Sequence, residues 1–596
     1  MKRMIKVSVI IPVFNSAHLI EKTIQSILKQ QFQDWEMIIV DDGSMDNIGE
    51  VIGSFIKKNE RIKFYQQQNA GASAARNTGI KNAKNEWLLF LDADDWIRED
   101  YFEKMVAVLI NDPTIDVVHC GWTRVSKSGA AGKGNFGGEQ SDMFPSLAHY
   151  CPFAIHSCIV RKGIVERVGG FDTSFKTCGD WDLWQRVART GAKFRMVKET
   201  MAFYQTTSNS LSSDGNQFCI NGLQVISNAY SSDARVPHPK QHYEKGLITG
   251  HLRERKYYFV TWSAGLLIGS SKPASHLLGH LKGIKAENLD PDIVAETVLD
   301  SVIIPAEKEQ PGWIAHWNRI EKNLRIFLKD LQEQSHSQNL ADKVCALIER
   351  YVITQNANEI EQVRIGKSLA EKIDIEGVII DKNSTGEIEH YFGIVECKKK
   401  IPGIIELDVK ENIVSSRQIK DAIATKFSWM ILQDFFSQTV YPFIKPDKRL
   451  AKQNLSEQEI HDKTGWKIFL QQLWQKPDWD EGMFYDPFAS KEKGVVITTG
   501  NNEVHVEISQ DLPRIKTDAS DLNVIYYIGG IKAGIASVSV HKNYISPQQL
   551  RAAINTNGGY ELCRITVRET LIGNGKWSDL NLRDQLRKNL HNPLES

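Results

Sequence analysis

The residues best suited to do chemistry follow a short apolar segment, Trp87–Leu91. The segment is apolar on both faces, which predicts a strand buried in a parallel sheet between helices. It ends abruptly at Asp92, Asp94 and Asp95. Crowded carboxylates repel one another unless a cation holds them, and their hard oxygens suit Mg²⁺ or Mn²⁺, which commonly bridge a carboxylate to substrate phosphates. The alternative is a solvated acidic turn that caps the next helix.

A second acidic group, Asp41-Asp42-Gly43-Ser44, follows the predicted strand Met37–Val40. Strand and helix patterns alternate with short connections between residues 7 and 109, which predicts a mostly parallel α/β sheet. Ligands of such sheets bind beyond the carboxyl ends of the strands, so both acidic groups are expected on one rim. There they would grip a nucleotide, one carboxylate at the base or ribose and another at a metal on the phosphates. By itself, the second group would be interpreted as an Asx turn.

Bulk composition narrows the class of protein. The chain has 596 residues, too many for one hydrophobic core, and about three or four domains are expected. Its 73 Lys and Arg balance 73 Asp and Glu, which argues against a nucleic-acid partner. The eight Cys show no metal-ligand spacing and indicate reduced thiols. No signal-peptide or membrane-spanning pattern is evident, and we expect a cytoplasmic protein, at most peripheral at the inner face of a membrane.

Six short motifs, in their order and spacing, resemble the family 2 glycosyltransferases of the GT-A fold, a Rossmann-like fold with a mostly parallel sheet. They are Val9–Asn15, Asp41–Ser44, Asn69–Asn77, Phe90–Asp95, Gly169–Asp172 and Gly179–Trp184. The resemblance covers residues from about 7 to 212, the first third of the chain. It implies transfer of a sugar from a nucleotide diphospho-sugar to an acceptor hydroxyl, with inversion at the anomeric carbon.

The resemblance also implies roles for residues of the two acidic groups. Asp42 takes the position that accepts the N3–H of uracil, which favours a UDP-sugar, and Asp94 takes that of the metal ligand. Mg²⁺ or Mn²⁺ would act there as a Lewis acid that neutralises the departing diphosphate. For Arg76, the alternative is an exposed helical arginine. The residues expected to contact the nucleotide-sugar are Pro12, Val13, Phe14, Asp42, Arg76, Asp92 and Ala93.

Asp180 matches the family's catalytic carboxylate, which removes the proton of the attacking hydroxyl. The same side chain could cap the helix that follows it. Two departures from the family pattern matter here. Gly179 replaces the Glu that usually precedes the base, which weakens the account of how Asp180 is oriented. Gln205 stands where many members have a basic residue, which leaves open the group that holds the leaving diphosphate; His156 and Lys176 are candidate substitutes.

Beyond the motifs, the chain shows no family resemblance. A helical pattern runs from about 217 to 349, with a predicted linker at 305–312 and two amphipathic helices within 313–351. The predicted division is a GT-A domain at 1–230, a helical region with linker at 231–350, and α+β modules at 351–490 and 491–596. The first module ends in an aromatic-rich connector, residues 466–488, which is expected to pack between the modules.

The two modules are predicted to be copies of one another. Gly403–Ser415 aligns with Gly534–Ser546, so each residue of the second copy lies 131 positions after its counterpart. Each copy predicts a strand, a turn and a helix capped by the last serine of the range. Ahead of the second copy, Val495–Thr499 and Val504–Ile508 flank a Gly-Asn-Asn segment and predict a hairpin.

These features predict a metal-dependent inverting glycosyltransferase that uses a glycan or lipid-linked acceptor, in cell-surface polysaccharide or glycoconjugate synthesis. The alternative is a non-catalytic sugar-nucleotide-binding scaffold whose C-terminal modules recruit an unidentified protein partner, and Gly179 keeps this alternative open. A nucleotidyltransferase would need a glycine-rich loop with a basic residue after the first strand, and Pro12–Asn15 is not such a loop.

Overall fold

Apolar strands and amphipathic helices alternate along residues 7–205. The strands form one eight-stranded sheet. The chain forms two units, Met1–Val352 and Ile353–Ser596, and its division into four domains stays a prediction. The computed structural model describes residues 5–125, 132, 134–205, 215–248, 252–286, 288–306, 312–383, 387–397, 400–439, 457–474, 495–540, 543–574, 577 and 580–588.

The first unit contains eight strands and twelve α-helices among its described residues. The strands are β1 (Val7–Val13), β2 (Trp35–Asp41), β3 (Ile62–Gln66), β4 (Trp87–Phe90), β5 (Trp96–Ile97), β6 (Val117–Val125), β7 (Cys158–Arg161) and β8 (Phe194–Gln205). The helices are α1 (Ile20–Leu28), α2 (Ile48–Ile56), α3 (Ala72–Asn82), α4 (Tyr101–Asn111), α5 (Phe144–Leu147), α6 (Lys162–Arg167), α7 (Gly179–Arg189), α8 (Gly215–Ala229), α9 (Leu252–Gly269), α10 (Pro291–Ala306), α11 (Trp313–Ser335) and α12 (Leu340–Gln355), the last of which runs past the boundary of the unit.

The order of the strands in the sheet is β3-β2-β1-β4-β7-β6-β8-β5. Strands β3, β2, β1 and β4 are parallel neighbours. Strand β7 is antiparallel to both β4 and β6, and β8 is parallel to β6. It follows that β1, β2, β4, β6 and β8 all run in the same direction and that their carboxyl ends meet at one rim. The predicted α/β fold with a mostly parallel sheet of the GT-A type is confirmed.

Both faces of this sheet are covered, which explains why β1 and β2 are buried along their whole length. Successive side chains of a strand point to opposite faces. On one face, Val9 and Ile11 pack with residues of α1, α2 and α4. On the other, Ile10 and Ile38 pack with residues of α3 and α7. The helix that carries Asp180 therefore lies on the same face as the helix that carries Arg76.

Helices α8 to α12 form the remainder of the first unit. The two amphipathic helices predicted within 313–351 are confirmed as α11 and α12. The predicted linker begins too early, because Pro305 lies in the last turn of α10; residues 307–311 lie outside the described residues. Over the part of the chain that the structure describes, the helices lack the combination of length and apolarity needed to cross a membrane.

The second unit consists of short strands and four long or medium helices in its described residues. The strands are β9 (Gln362–Ile365), β10 (Ser368–Asp374), β11 (Lys382–Asn383), β12 (His390–Cys397), β13 (Lys400–Asp408), β14 (Ile413–Val414), β15 (Val496–Thr498), β16 (Glu503–Glu507), β17 (Arg514–Lys516), β18 (Asp521–Ile528), β19 (Ile531–Ser539) and β20 (Tyr544–Ile545). The helices are α13 (Ser416–Thr439), α14 (Glu457–Trp474), α15 (Pro547–Thr570) and α16 (Leu582–Lys588).

The duplication predicted from the sequence is visible in these bounds. Strands β18, β19 and β20 and helix α15 begin and end 131 residues after β12, β13 and β14 and helix α13. The pairing repeats as well, since β12 and β18 each have one parallel and one antiparallel neighbour. Both helices begin at a capping box, Ser415 with Gln418 and Ser546 with Gln549. The two copies share one hydrophobic core.

The hairpin predicted ahead of the second copy is wrong. Strand β15 pairs in parallel with β17, and β16 pairs in parallel with β18. Alternating apolar residues identify a strand but do not identify its partner, and here the partners come from later in the chain. In the predicted aromatic connector, Phe469 and Trp474 lie in the core shared by the copies, and Trp474 Nε1 donates to Asn555 Oδ1 at 3.1 Å. Residues 475–488 of that connector lie outside the described residues.

Candidate active site

The acidic loop between β4 and β5 carries Asp92, Asp94 and Asp95. Asp95 is buried, with 1% of its surface exposed, so the alternative of a solvated turn is wrong for this residue. Asp94 is half-buried. Burial, together with repulsion by the two neighbouring carboxylates, raises the pKa of Asp94 to about 7. The loop therefore holds an anion whose charge the protein compensates incompletely, which is typical of a ligand-binding carboxylate.

Asp95 fixes the position of this loop. Its Oδ2 lies 3.1 Å from Nδ1 of the buried His156, and its Oδ1 accepts the backbone N–H of Gln205 at 2.8 Å. Thr23 Oγ1 donates to the backbone carbonyls of Ala93 and Asp95, both at 2.8 Å. Burial lowers the pKa of His156, but the Asp95 carboxylate outweighs this effect and the pKa is raised. The end of β8 and the acidic loop are thus held together by one buried carboxylate.

Arg76 connects the acidic loop with the predicted base. Its Nη2 lies 2.5 Å from Asp92 Oδ1, and only 11% of the Arg76 side chain is exposed, so it is not an exposed helical arginine. Asp180 responds electrostatically to the same two residues. Burial raises the pKa of Asp180, Arg76 opposes the rise, and Asp92 adds to it. The structure therefore brings Asp92, Arg76 and Asp180 close to one another; their roles stay a prediction.

Asp180 does not cap its helix. The N-cap of α7 is Cys178, in a left-handed conformation with φ of 60°, and Asp180 lies in the first turn. Its Oδ1 accepts the N–H of Trp181 at 2.9 Å. A Cβ at Gly179 would lie 3.0 Å from Ser73 Oγ on α3. This contact is tight, so a glutamate at position 179 would require a small shift of the Ser73 side chain.

A buried ion network anchors the helix of the base from its opposite side. Asp182 is fully buried and accepts hydrogen bonds from Arg186 Nη2 at 2.7 Å and from Arg235 Nη2 at 2.9 Å. Arg235 also pairs with Asp172 and Asp233, both at 2.8 Å. No motif pointed to Arg235, which follows α8 and lies 53 residues after Asp182 in the chain. The network positions α7, and through it Asp180, by charge-assisted hydrogen bonds.

Asp42 directly follows β2, at the rim where the resemblance predicts a nucleotide. Most of the hydrogen-bonding capacity of its carboxylate is already used within the protein. Its Oδ1 accepts from Gln67 Nε2 at 2.8 Å and from the N–H of Ala70 at 2.9 Å, and its Oδ2 accepts from the N–H of Gly71 at 2.7 Å. About one of the four lone-pair positions of a carboxylate remains. The Asx-type turn is made by the neighbouring Asp41, whose Oδ1 accepts from the N–H of Ser44 at 2.9 Å.

The residues predicted to line the base pocket lie at the end of β1, with Pro12 and Val13 in the strand and Phe14 directly after it. Pro12 and Val13 are buried, and the Val13 carbonyl accepts the N–H of Asp42 at 2.9 Å. Phe14 is exposed to 48% and has a free ring surface. Ala93 is buried, with 7% exposed. Of this group, Phe14 is the residue whose side chain is open to a planar ligand.

The two candidate substitutes for the basic residue missing at position 205 differ in environment. The ring of His156 is buried against Asp95, whereas Lys176 is exposed. Sequence reasoning also missed the part that Asp95 plays in the site. Asp95 belongs to the acidic cluster that drew attention, but its bond to His156 is a tertiary contact with no local signal.

The metal ligands that the protein offers can be compared with those that the predicted Mg²⁺ or Mn²⁺ would need. Among the described residues, no group of three or more His, Cys, Asp or Glu side chains is arranged to hold a metal ion by itself. Asp94 is nevertheless suited to be one hard oxygen ligand, since burial and the neighbouring Asp95 and Asp92 raise its pKa and His156 offsets only part of the rise. Such ions often bind through one or two carboxylates and complete their shell with substrate phosphates and water. The residues fit an ion shared with a diphosphate.

Comparison with known proteins indicates the class of protein. A profile of the family described as Glycosyl transferase family 2 matches residues 8–169. An uncharacterized glycosyltransferase of Rickettsia felis is 29% identical over 226 residues, which cover 37% of this chain and 36% of the relative. The uncharacterized glycosyltransferase RT0329 of Rickettsia typhi is 30% identical over 220 residues, which cover 34% of this chain and 67% of the relative. The chain thus spans about a third of the length of the first relative and two thirds of the second.

Among solved structures, S. aureus TarS 1-349 is similar over 55% of this chain and 91% of its own length, with 18% identity and a TM-score of 0.35. A score of this size adds nothing to the fold assignment, which comes from the sheet itself. The fold and the acidic rim define an α/β protein of the GT-A class. Within that class, the chain belongs to glycosyltransferase family 2.

Proposed function

We propose that this protein transfers a sugar from a nucleotide diphospho-sugar, most simply a UDP-sugar, to a hydroxyl of a glycan or lipid-linked acceptor. The observation that carries the proposal is the convergence of Asp92, Arg76 and Asp180, next to the incompletely compensated Asp94.

In the proposed reaction, the acceptor oxygen attacks the anomeric carbon from the side of Asp180. The bond from that carbon to the diphosphate breaks, Asp180 takes the acceptor proton, and the nucleoside diphosphate leaves. Attack opposite the leaving group inverts the anomeric configuration. The raised pKa of Asp180 makes it a better proton acceptor than an ordinary aspartate.

On the donor side, Asp42 would accept the N3–H of uracil with its remaining lone pair, and Phe14 and Val13 would border the base. Asp92, held by Arg76, would contact the ribose side of the donor. Asp94 would hold Mg²⁺ or Mn²⁺, and the ion would act as a Lewis acid on the leaving diphosphate when bound. A role in cell-surface polysaccharide or glycoconjugate synthesis is part of this proposal.

The test is a thermal-shift screen of nucleotide-sugars with and without Mn²⁺, followed by activity assays of Asp180→Asn. A ligand at a hundred times its Kd stabilises the folded state by about 2.7 kcal/mol, so one nucleotide class should raise Tm and chelator should abolish the rise. Asp180→Asn should keep this shift and lose transfer about 10²- to 10⁴-fold. Binding without turnover in the native protein would instead favour the non-catalytic scaffold. No shift with any nucleotide would refute both readings.

A further inference from the structure

Arg124 is a cation at the rim of the sheet where the parallel strands β6 and β8 end. It lies at the carboxyl end of β6, and its side chain is half-buried. Among the described residues, no carboxylate lies within 4.0 Å of its guanidinium and no hydrogen bond of its side chain is formed. Tyr204 and Asp300 of α10 act to raise its pKa, but burial has the larger effect, and the pKa of Arg124 is lowered.

The register of the sheet places Arg124 next to the acidic loop. Arg124 pairs with Tyr204 on the parallel strand β8, and the following residue of β8, Gln205, is bonded to Asp95. The end of β8 is therefore flanked by the acidic loop on one side and by Arg124 on the other. Neighbouring strands lie about 4.8 Å apart, so the backbone of Arg124 is about 10 Å from that loop, a span that a phosphate-bearing ligand covers.

Two aromatic residues shape the surroundings of the guanidinium. Its Cζ lies 5.2 Å from the centroid of the Trp122 ring, and Trp122 meets Tyr204 edge-on at 6.2 Å. Trp122 Nε1 donates to the carbonyl of Pro152 at 3.0 Å. This contact fixes the ring of Trp122, and Cys151, which precedes Pro152 in the chain, is close enough to Asp180 to feel its charge. The aromatic pair thus borders the Arg124 side chain.

We propose that Arg124, supported by Trp122 and Tyr204, binds a phosphate group of a ligand at this rim. The planar fork of arginine suits phosphate oxygens. The inference rests on the proposed function and deepens it, because it supplies from the neighbouring strand the positive charge that is missing at Gln205. The phosphate belongs either to the leaving diphosphate of the donor or to the acceptor, and the two sources are separable by experiment.

The experiment compares Arg124→Gln with the native protein and with a matched control, Arg195→Gln. Arg195 lies near the start of β8, at the opposite rim of the same sheet, with a 56% exposed side chain and its nearest carboxylate at 3.8 Å. In the first arm, UDP and uridine are titrated calorimetrically in the presence of Mn²⁺. In the second arm, glycerol phosphate is titrated into UDP-saturated protein. Arg124→Lys, which keeps the charge and loses the fork, is measured in both arms.

If the donor diphosphate is bound, Arg124→Gln weakens UDP about tenfold or more and leaves uridine unchanged. If an acceptor phosphate is bound, UDP is unaffected and the glycerol phosphate response disappears. Arg124→Lys should recover part of whichever response is lost. Equal behaviour of Arg124→Gln and Arg195→Gln in both arms would overturn the inference while leaving the proposed function intact. A native protein that binds neither UDP nor glycerol phosphate would overturn both.

Discussion

Removing the Arg235 side chain should loosen the helix that carries the predicted base without touching the donor site. In Arg235→Gln, the fully buried Asp182 loses one charge-assisted hydrogen bond of 2.9 Å but keeps Arg186. A hydrogen bond to a charged group contributes about 1.5–3 kcal/mol. The lost pairs with Asp172 and Asp233 add little, since the Arg235 side chain is 31% exposed and water screens them.

The expected loss in the free energy of unfolding is therefore about 2 kcal/mol. It should stay below the 3–5 kcal/mol typical of a buried charge left alone, because Arg186 still compensates Asp182. In the double variant with Asp182→Asn, the carboxylate that needs Arg235 is gone. The two losses should then be clearly less than additive.

Local hydrogen exchange of α7 is the measurement of choice, because a chain of two units need not unfold in one step. Amides of residues 179–189 should lose protection, while those of β1 and β2 stay protected. In transfer assays, kcat should fall more than the affinity for the donor, since Asp180 is displaced and the nucleotide side is not. Arg195→Gln serves as the control. Native protection of α7 and native kcat in Arg235→Gln would refute the reasoning.

Three further predictions concern other parts of the chain. Asp42→Asn should weaken UDP binding at least about tenfold and destabilise the fold by about 1–3 kcal/mol, because an amide nitrogen would face N–H groups that now donate to the Asp42 carboxylate. Titration with UDP measures the first effect and urea unfolding measures the second. An unchanged affinity for UDP would contradict the nucleotide role. Burial lowers the pKa of His119 to about 4, below its ordinary value of 6.5. The neutral imidazole contributes about 3 kcal/mol of stability that is complete above pH 6.5 and is lost as the pH falls toward 4. In His119→Gln, the free energy of unfolding measured with urea should therefore fall less steeply between pH 6.5 and 4 than in the native protein. An identical fall would refute the assignment. Ser415→Ala and Ser546→Ala should each destabilise the second unit by about 1 kcal/mol, and a large inequality in thermal unfolding would show that the two capping boxes are not equivalent.

The sequence was most informative where local pattern and chemistry coincide. Apolar segments that end in carboxylates predicted β2, β4 and the shared rim, and the constant offset of the repeat predicted the matching elements of the second unit. Contacts between distant segments could not be predicted in this way. The buried pair of Asp95 with His156 and the hold of Arg235 on Asp182 join residues with no pattern in common. The parallel partners of β15 and β16 were missed for the same reason, since alternation does not reveal a neighbour.

The acids of the rim fall into two groups by how the protein compensates their charge. Asp42 and Asp95 accept hydrogen bonds that fix loops, and burial of a carboxylate is tolerated when such donors are supplied. Burial raises the pKa of Asp95 as well as those of Asp94 and Asp180. Asp95, however, lies 3.1 Å from the ring of His156, whereas within the described part of the chain Asp94 and Asp180 accept no hydrogen bond from a side chain. A fold has no structural reason to keep an anion under-compensated, so these two positions are where an external cation or proton is expected to act. The motifs do not distinguish among these aspartates. The hydrogen bonds that the aspartates accept do, because they separate those that hold the site together from those that would take part in the reaction.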